Sequence, residues 1–199
     1  MTKQDIRQEI KVLCSQHADE LAEKSAFICQ KIITSKEYIT ANEVFAYMAL
    51  KDEVNLGLVI LDALKKGKKV AVPKIMDFER GIMLFYYLDG KQALNSQTES
   101  GTLGISEPDE NLLTPVNLNE LKNQKALILV PGRAFTKDGD RLGRGKGFYD
   151  RFLSDRLLRS ARNDKARNDI TLAGICFDFQ IKKSLPTSDR DIKMDILFS

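Results

Sequence analysis

The stretch Ala126–Leu153, ALILVPGRAFTKDGDRLGRGKGFYDRFL, decides the architecture. Ala126–Val130 is a short, continuous apolar run, the pattern of a strand covered on both faces. It stops at Pro131-Gly132, and a long loop leads to Gly143-Arg144-Gly145-Lys146-Gly147. A helix is expected from there, over Gly147–Leu158. Upstream, Thr2 and Asp5 form a variant capping box, and apolar residues from Ile6 to Ile32 recur at helical spacing. Asp5–Ile33 therefore reads as one long helix or two shorter ones. Strands are expected at Glu43–Met48, Lys69–Lys74 and Ile82–Leu88. A helix over Leu56–Lys66 is expected to end at Gly67, which suits a C-cap. Gly90–Asn123, rich in Ser, Thr, Asn, Gly and Pro, reads mostly as loop and short turns. Downstream, Thr171–Phe177 and Ile192–Phe198 read as strands. Strands alternating with helices predict an α/β layered fold with a central mixed, mostly parallel sheet flanked by helices.

Composition narrows the classes of function. The chain has 199 residues and a net charge of +3. That length suits one domain, 1–199, with a core large enough to need no staples. Its 43% hydrophobic content excludes general disorder. Cys14, Cys29 and Cys176 are odd in number and widely spaced, so neither a disulfide framework nor a CxxC metal site is expected. They read as buried small hydrophobes, and a reducing cytoplasm as the compartment. The single histidine, His17, excludes Ser-His-Asp catalysis and His-based zinc sites. The start, MTKQDIRQEIK, is polar and reads as no secretory signal, and no apolar run approaches a membrane span. A pI near 8.7 hints at nucleic acid. Asp155–Asp169, however, carries five basic and three acidic residues and supplies most of the net charge. The rest is almost neutral, so no nucleic-acid footprint is expected. Ala161-Arg-Asn-Asp164 recurs as Ala166-Arg-Asn-Asp169, and 160–169 reads as a solvated surface insertion.

The glycine-rich loop carries the chemistry. In parallel α/β folds, ligands bind outside the carboxyl ends of strands. Glycines let backbone approach a ligand closely, and the amides at the start of the following helix favour an anion. Arg141, Arg144 and Lys146 add cations. Arginine can fork around phosphate oxygens, and lysine acts as a point charge. The expected ligand is polyanionic, most simply a nucleotide's phosphates. A tight structural turn is the plain alternative. The familiar phosphate motifs do not fit: Gly147 follows Lys146 where GxxxxGK[ST] needs a hydroxyl, and glycines at 143, 145 and 147 break the GxGxxG spacing.

The pattern PG-x-AF-x-x-x-G-x-RLG-x-G-x-G-[FY]-YDRFL, read over Pro131–Leu153, resembles the signature of the 5-formyltetrahydrofolate cyclo-ligase family. Lys3 and Arg7, Tyr47-Met48 with Asp52-Glu53-Val54, Val70–Lys74, Gly104-Ile-Ser-Glu107-Pro108, Leu185-Pro186 and Asp191–Asp195 extend the likeness over nearly the whole chain, except 160–169. The resemblance implies a fold like ribose-phosphate isomerase and the CoA-transferases. It implies a C–N bond-forming ligase that converts 5-formyltetrahydrofolate to 5,10-methenyltetrahydrofolate with ATP and Mg2+, releasing ADP and phosphate. The formyl oxygen would take the γ-phosphate, the second amine nitrogen would close the ring, and phosphate would leave. Such a reaction needs positioning and charge neutralisation more than a protein nucleophile.

By the same resemblance, Lys146 and Arg144 are expected to be catalytic. Lys3, Arg7, Arg141, Leu142, Gly143, Arg144, Gly145, Lys146, Gly147, Phe148 and Tyr149 would bind ATP. Met48, Glu53 and the segment Arg144, Gly145, Lys146, Gly147, Phe148 would bind the folate. Asp150 and Asp191 would hold magnesium. Without the resemblance, Lys3 and Arg7 are solvated residues of a first helical turn, Glu53 and Asp150 ordinary acids at helix starts, and Tyr149 a core tyrosine. Arg133, Phe148 and Arg190 depart from the family pattern without removing an assigned group. The implied partners are small molecules, with no nucleic acid, no membrane and a monomer as the expected state. Two alternatives stay open: an enzyme of the same broad fold acting on a phosphosugar or CoA thioester, and a nucleic-acid-binding module.

Overall fold

The computed structural model describes residues 1–117, 125–160, 169–188 and 191–199. The expected insertion at 160–169 falls almost wholly outside them, as do Arg190 and the end of the Gly90–Asn123 segment.

The N-terminal periodic stretch forms two helices, α1 (Lys3–Gln16) and α2 (Leu21–Thr34). Both hydrogen bonds of the Thr2/Asp5 capping box are present. A short α3 (Lys36–Thr40), which the sequence reading lacks, leads into β1 (Glu43–Phe45), α4 (Gly57–Lys65), β2 (Lys69–Asp77) and β3 (Ile82–Tyr87). Gly67, at φ 71°, ends α4. Its amide bonds Leu64 and the amide of Lys68 bonds Ala63, the paired bonds of a Schellman motif. The expected loop after residue 90 contains 3-10 turns and three short strands, β4 (Thr98–Ser100), β5 (Ser106–Pro108) and β6 (Thr114–Pro115). There follow β7 (Ala126–Pro131), β8 (Ala134–Thr136), β9 (Arg141–Leu142), α5 (Phe148–Ser160), β10 (Ile170–Ile175), β11 (Ile181–Lys182) and β12 (Ile196–Phe198).

Seven strands form one sheet in the order β12-β10-β7-β1-β2-β3-β6. The five from β12 to β2 are mutually parallel, and β3 and β6 add antiparallel at one edge. This is the mixed, mostly parallel α/β sheet that the sequence predicts. Side chains of β7 alternate between two cores. Leu127 and Leu129 pack with α2 and α4 residues such as Ile32 and Ile60. Ala126, Ile128 and Val130 face Phe85, Phe152 and Leu153 on the other side. A strand buried on both faces has no polar face to show, hence its unbroken apolar run.

Two expected strands are much shorter in the structure. Glu43–Met48 keeps strand geometry only to Phe45, because the chain turns there into the cleft floor. Ile192–Phe198 begins its strand at Ile196. Met194 and Asp195 are instead tied to Gly139 and Leu172 through their backbone amides, each at 2.8 Å.

The topology creates an opening. From β1 in the middle, the chain goes to β2 on one side and later to β7 on the other. The connections therefore diverge at the carboxyl ends of β1 and β7, the place where open parallel sheets bind ligands. A small second sheet, β11-β8-β9, lies beyond β7. Helix α1 packs Ile6, Ile10 and Cys14 against Ala134 and Leu142 of that sheet.

Candidate active site

A cleft of about 470 Å³ opens at this point of divergence. Tyr47 and Met48 after β1 and Pro131-Gly132 at the end of β7 form its floor, and Ile75, Phe78 and Met83 of the β2–β3 hairpin form an apolar wall. The other wall is the segment from Arg141 to Asp150. The lining is therefore apolar on one side and cationic on the other.

The glycine loop is held by Arg7 of α1 and by Arg141 at its start. Gly145 and Gly147 have φ of 110° and 73°, conformations that cost other residues strain. Arg7 Nε donates to Gly143 O at 2.9 Å, and a Cβ at Gly145 would lie 3.5 Å from the Arg7 guanidinium. Helix α1 thus carries Arg7 onto the loop. The Arg141 side chain is 4% exposed. Its Nη1 donates to Pro131 O at 3.1 Å, its Nη2 pairs with Asp150, and its guanidinium lies 5.9 Å from the Tyr149 ring centre. The Tyr149 hydroxyl is buried without a partner, and burial pushes its pKa up.

Arg144 is clasped from across the cleft. Its Nε donates to Glu53 Oε1 at 2.7 Å, and its Nη2 pairs with Asp52. Asp52 also accepts from Arg133 Nη1 at 2.5 Å. Arg133, a departure from the sequence pattern, thus belongs to an Arg133–Asp52–Arg144–Glu53 network. Burial opposes ionisation of Asp52, but Arg144 and Arg133 outweigh it and hold the carboxyl below the usual carboxylate range. A carboxyl lowered in the folded state contributes stability above its unfolded pKa and loses it as pH falls through the folded one. The loop is accordingly expected to loosen as pH drops below about 4. Asp52→Asn is expected to flatten that acid limb in a pH series of thermal melts. An unchanged limb would remove Asp52 as its cause.

Lys146 is the loop's freest cation. Its Nζ lies 3.3 Å from Glu79, which is 84% exposed, and 4.3 Å from the Phe78 ring centre. Phe78 in turn packs on Phe148, with ring centres 6.0 Å apart.

The structure brings most of the expected site residues together. Met48, Glu53, Arg141, Gly143, Arg144, Lys146, Gly147, Phe148, Tyr149 and Asp150 all line the cleft. Leu142 is buried behind the loop against α1, and Gly145 faces Arg7. Lys3 and Asp191 lie outside the lining and pair with each other at 3.1 Å. Asp191 also accepts from the Ser188 amide at 2.7 Å. The two expected magnesium carboxylates are thus each paired with a cation, in different places. Among the described residues, no group of three or more His, Cys, Asp or Glu side chains could hold a metal. Magnesium keeps several waters and needs only one or two carboxylates beside phosphate oxygens, so this donor set suits a metal carried on a nucleotide but not a protein cage. The sequence reading assigned no role to Glu107, a buried carboxylate in the cleft lining.

The topology and site define an α/β enzyme with a cation-bearing glycine loop beside an apolar wall. Comparison with known proteins makes the class specific. The profile of the 5-formyltetrahydrofolate cyclo-ligase family matches residues 1–199. Mus musculus 5-formyltetrahydrofolate cyclo-ligase is 29% identical over 97% of this chain and 91% of that protein. A probable 5-formyltetrahydrofolate cyclo-ligase of Schizosaccharomyces pombe is 32% identical over 87% of this chain and 82% of its own length. The NMR structure of Aquifex aeolicus 5,10-methenyltetrahydrofolate synthetase superposes with a TM-score of 0.74 at 27% identity, covering 99% of this chain and 89% of that one. The chain belongs to the 5-formyltetrahydrofolate cyclo-ligase family.

Proposed function

We propose that the protein converts 5-formyltetrahydrofolate to 5,10-methenyltetrahydrofolate, with ATP as co-substrate and magnesium on its phosphates. The observation that carries this is the two-sided cleft: an apolar wall for a flat ring system faces a cation-bearing glycine loop for phosphates. The reaction balances without a protein nucleophile. The formyl oxygen bonds to the γ-phosphorus as ADP leaves. The N10 nitrogen then bonds to the formyl carbon and loses its proton, and the phosphorylated oxygen departs as phosphate. A formamide oxygen leaves poorly until it is phosphorylated.

Each group has a part in this. Lys146 and Arg144 stand where charge builds on the transferring phosphoryl group, which fixed cations stabilise without reorganising. Arg7 and Arg141 hold the loop and add positive potential, with Lys3 beyond the loop. The backbone of Gly143, Gly145 and Gly147 leaves room for close approach of phosphates, and the amides opening α5 favour their charge. Met48, Phe148 and Tyr149 offer apolar contact to the ring. Glu53 acts by holding Arg144 across the cleft. Asp150 is the carboxylate placed to meet a phosphate-borne magnesium, which would neutralise phosphate charge there. Asp191 would act through Lys3.

This division gives a direct test. Asp150→Asn is expected to raise the magnesium concentration for half-maximal rate several-fold, whereas Asp191→Asn is expected to raise KM for ATP through Lys3 and to move magnesium dependence little. Magnesium titrations at saturating ATP and formylfolate separate these, and the reverse pattern would return the metal to Asp191. Measuring ADP formed per folate consumed tests the coupling itself. One ADP per methenyl product is expected, and folate turnover without ADP would refute the phosphorylated route.

A further inference from the structure

Glu107 is 3% exposed and lines the cleft. It sits on β5, paired across to Glu99 of β4, in the segment that reads from sequence as loop. Its position is built: a Cβ at Gly101 would lie 2.3 Å from its Cγ, so only glycine fits there. The backbone amides of Ile75 and Thr102 lie near enough to favour the charged carboxylate, yet Oε1 is buried with no partner. The neighbouring cation Lys74 gives its Nζ to Glu99 at 2.8 Å and to Pro108 O at 3.3 Å.

Glu43 shows what a structural buried carboxylate looks like in this protein. It is 1% exposed, and its two oxygens meet Lys69 at 3.4 Å and Tyr87 at 2.7 Å. Buried acceptors are satisfied as a rule, and an exception in a ligand cleft points to a donor that arrives with the ligand. Glu53, the carboxylate expected to meet the folate, has both oxygens engaged, by Arg144 and by the Leu50 amide at 3.0 Å. Among the carboxylates of the lining, Glu107 is the most deeply buried. A pterin entering with its tail toward solvent leads with the edge that bears the exocyclic amine.

We propose that Glu107 Oε1 accepts a hydrogen bond from the exocyclic amine of the pterin ring and so orients the folate in the cleft. The assignment rests on the formylfolate reading of the cleft. Burial raises the Glu107 carboxyl, and the amides of Ile75 and Thr102 and the charge of Lys74 work against that rise. An N–H donor would complete the compensation.

The test is Glu107→Gln, which keeps the shape and loses the charge-assisted acceptor. KM for 5-formyltetrahydrofolate is expected to rise roughly tenfold or more, with KM for ATP moving less than about twofold. A second measurement uses the unaltered protein and a formylfolate analogue with methyl in place of the exocyclic amine. By calorimetry it is expected to bind roughly tenfold or more weakly. Equal binding of the two ligands would overturn the proposal even if the variant does not fold. So would a Glu107→Gln loss confined to kcat, which would mark a proton-transfer role. Wild-type protein that neither binds nor turns over formylfolate would instead defeat the reading of the activity.

Discussion

Lys146→Ala is expected to lower kcat by roughly 10²–10³-fold while the protein stays folded. The lysine stands on a glycine loop ahead of α5, on the cationic wall of the cleft. Its only ion partner among the described residues is Glu79, 3.3 Å away and 84% exposed. An exposed pair of that kind contributes about 0–1 kcal/mol to stability, so its loss barely moves the melting temperature. Charge developing on a transferring phosphoryl group is another matter, because the cation is worth more in the transition state than in the ground state. Single-turnover kinetics and a thermal melt of the same sample separate the two effects. A variant within threefold of wild type would show that Lys146 only solvates the loop.

Arg141→Met is expected to damage both stability and activity. The arginine is 4% exposed and ties β9 to Pro131 at the end of β7 and to Asp150 at the start of α5. Methionine keeps much of the apolar stem but leaves a carbonyl and a carboxylate without their donor. Breaking a buried pair from one side costs about 3–5 kcal/mol, and roughly 2–3 is expected here because Asp150 is one-third exposed. For a chain of this size that lowers Tm by about 5–10 °C. Activity is expected to fall by about 10²-fold or more, since the loop loses its anchor as well as a cation. Adding Asp150→Asn to Arg141→Met is expected to restore part of the Tm and none of the rate. A double variant no more stable than the single one would refute the ion-pair account.

What could be read from the sequence was local. The strand, glycine loop and helix of Ala126–Leu153 lie within one stretch, and each signal there has a short-range cause: burial on both faces, glycine conformations, amides opening a helix. The capping box at Thr2 and the C-cap at Gly67 are legible for the same reason. The shortened ends of two expected strands were not, because what stops them is distant in sequence: the cleft for Tyr47-Met48, and Gly139 for Met194. The strands β8, β9 and β11 have only two or three residues, too few to show a strand pattern, and β11 exists through pairing with the distant β8. The ion network shows the same limit. The sequence reads Arg144 as a phosphate-facing cation, Glu53 as a folate contact or an acid at a helix start, and Arg133 as a departure from the family pattern, and only the fold joins them with Asp52 in one clasp. Glu107 is visible in the sequence only as part of the Gly104–Pro108 likeness, since neither its burial nor its unpaired oxygen leaves a mark on a polar, turn-rich segment.

ATP-driven ring closure on formylfolate can be watched in the near-ultraviolet absorbance of the methenyl product after mixing the protein with 5-formyltetrahydrofolate and magnesium, first without ATP and then with it. A flat trace that begins to rise when ATP is added is expected, with a much slower rise for Lys146→Ala. Folded protein giving no ATP-dependent signal, or the same signal without ATP, would contradict it.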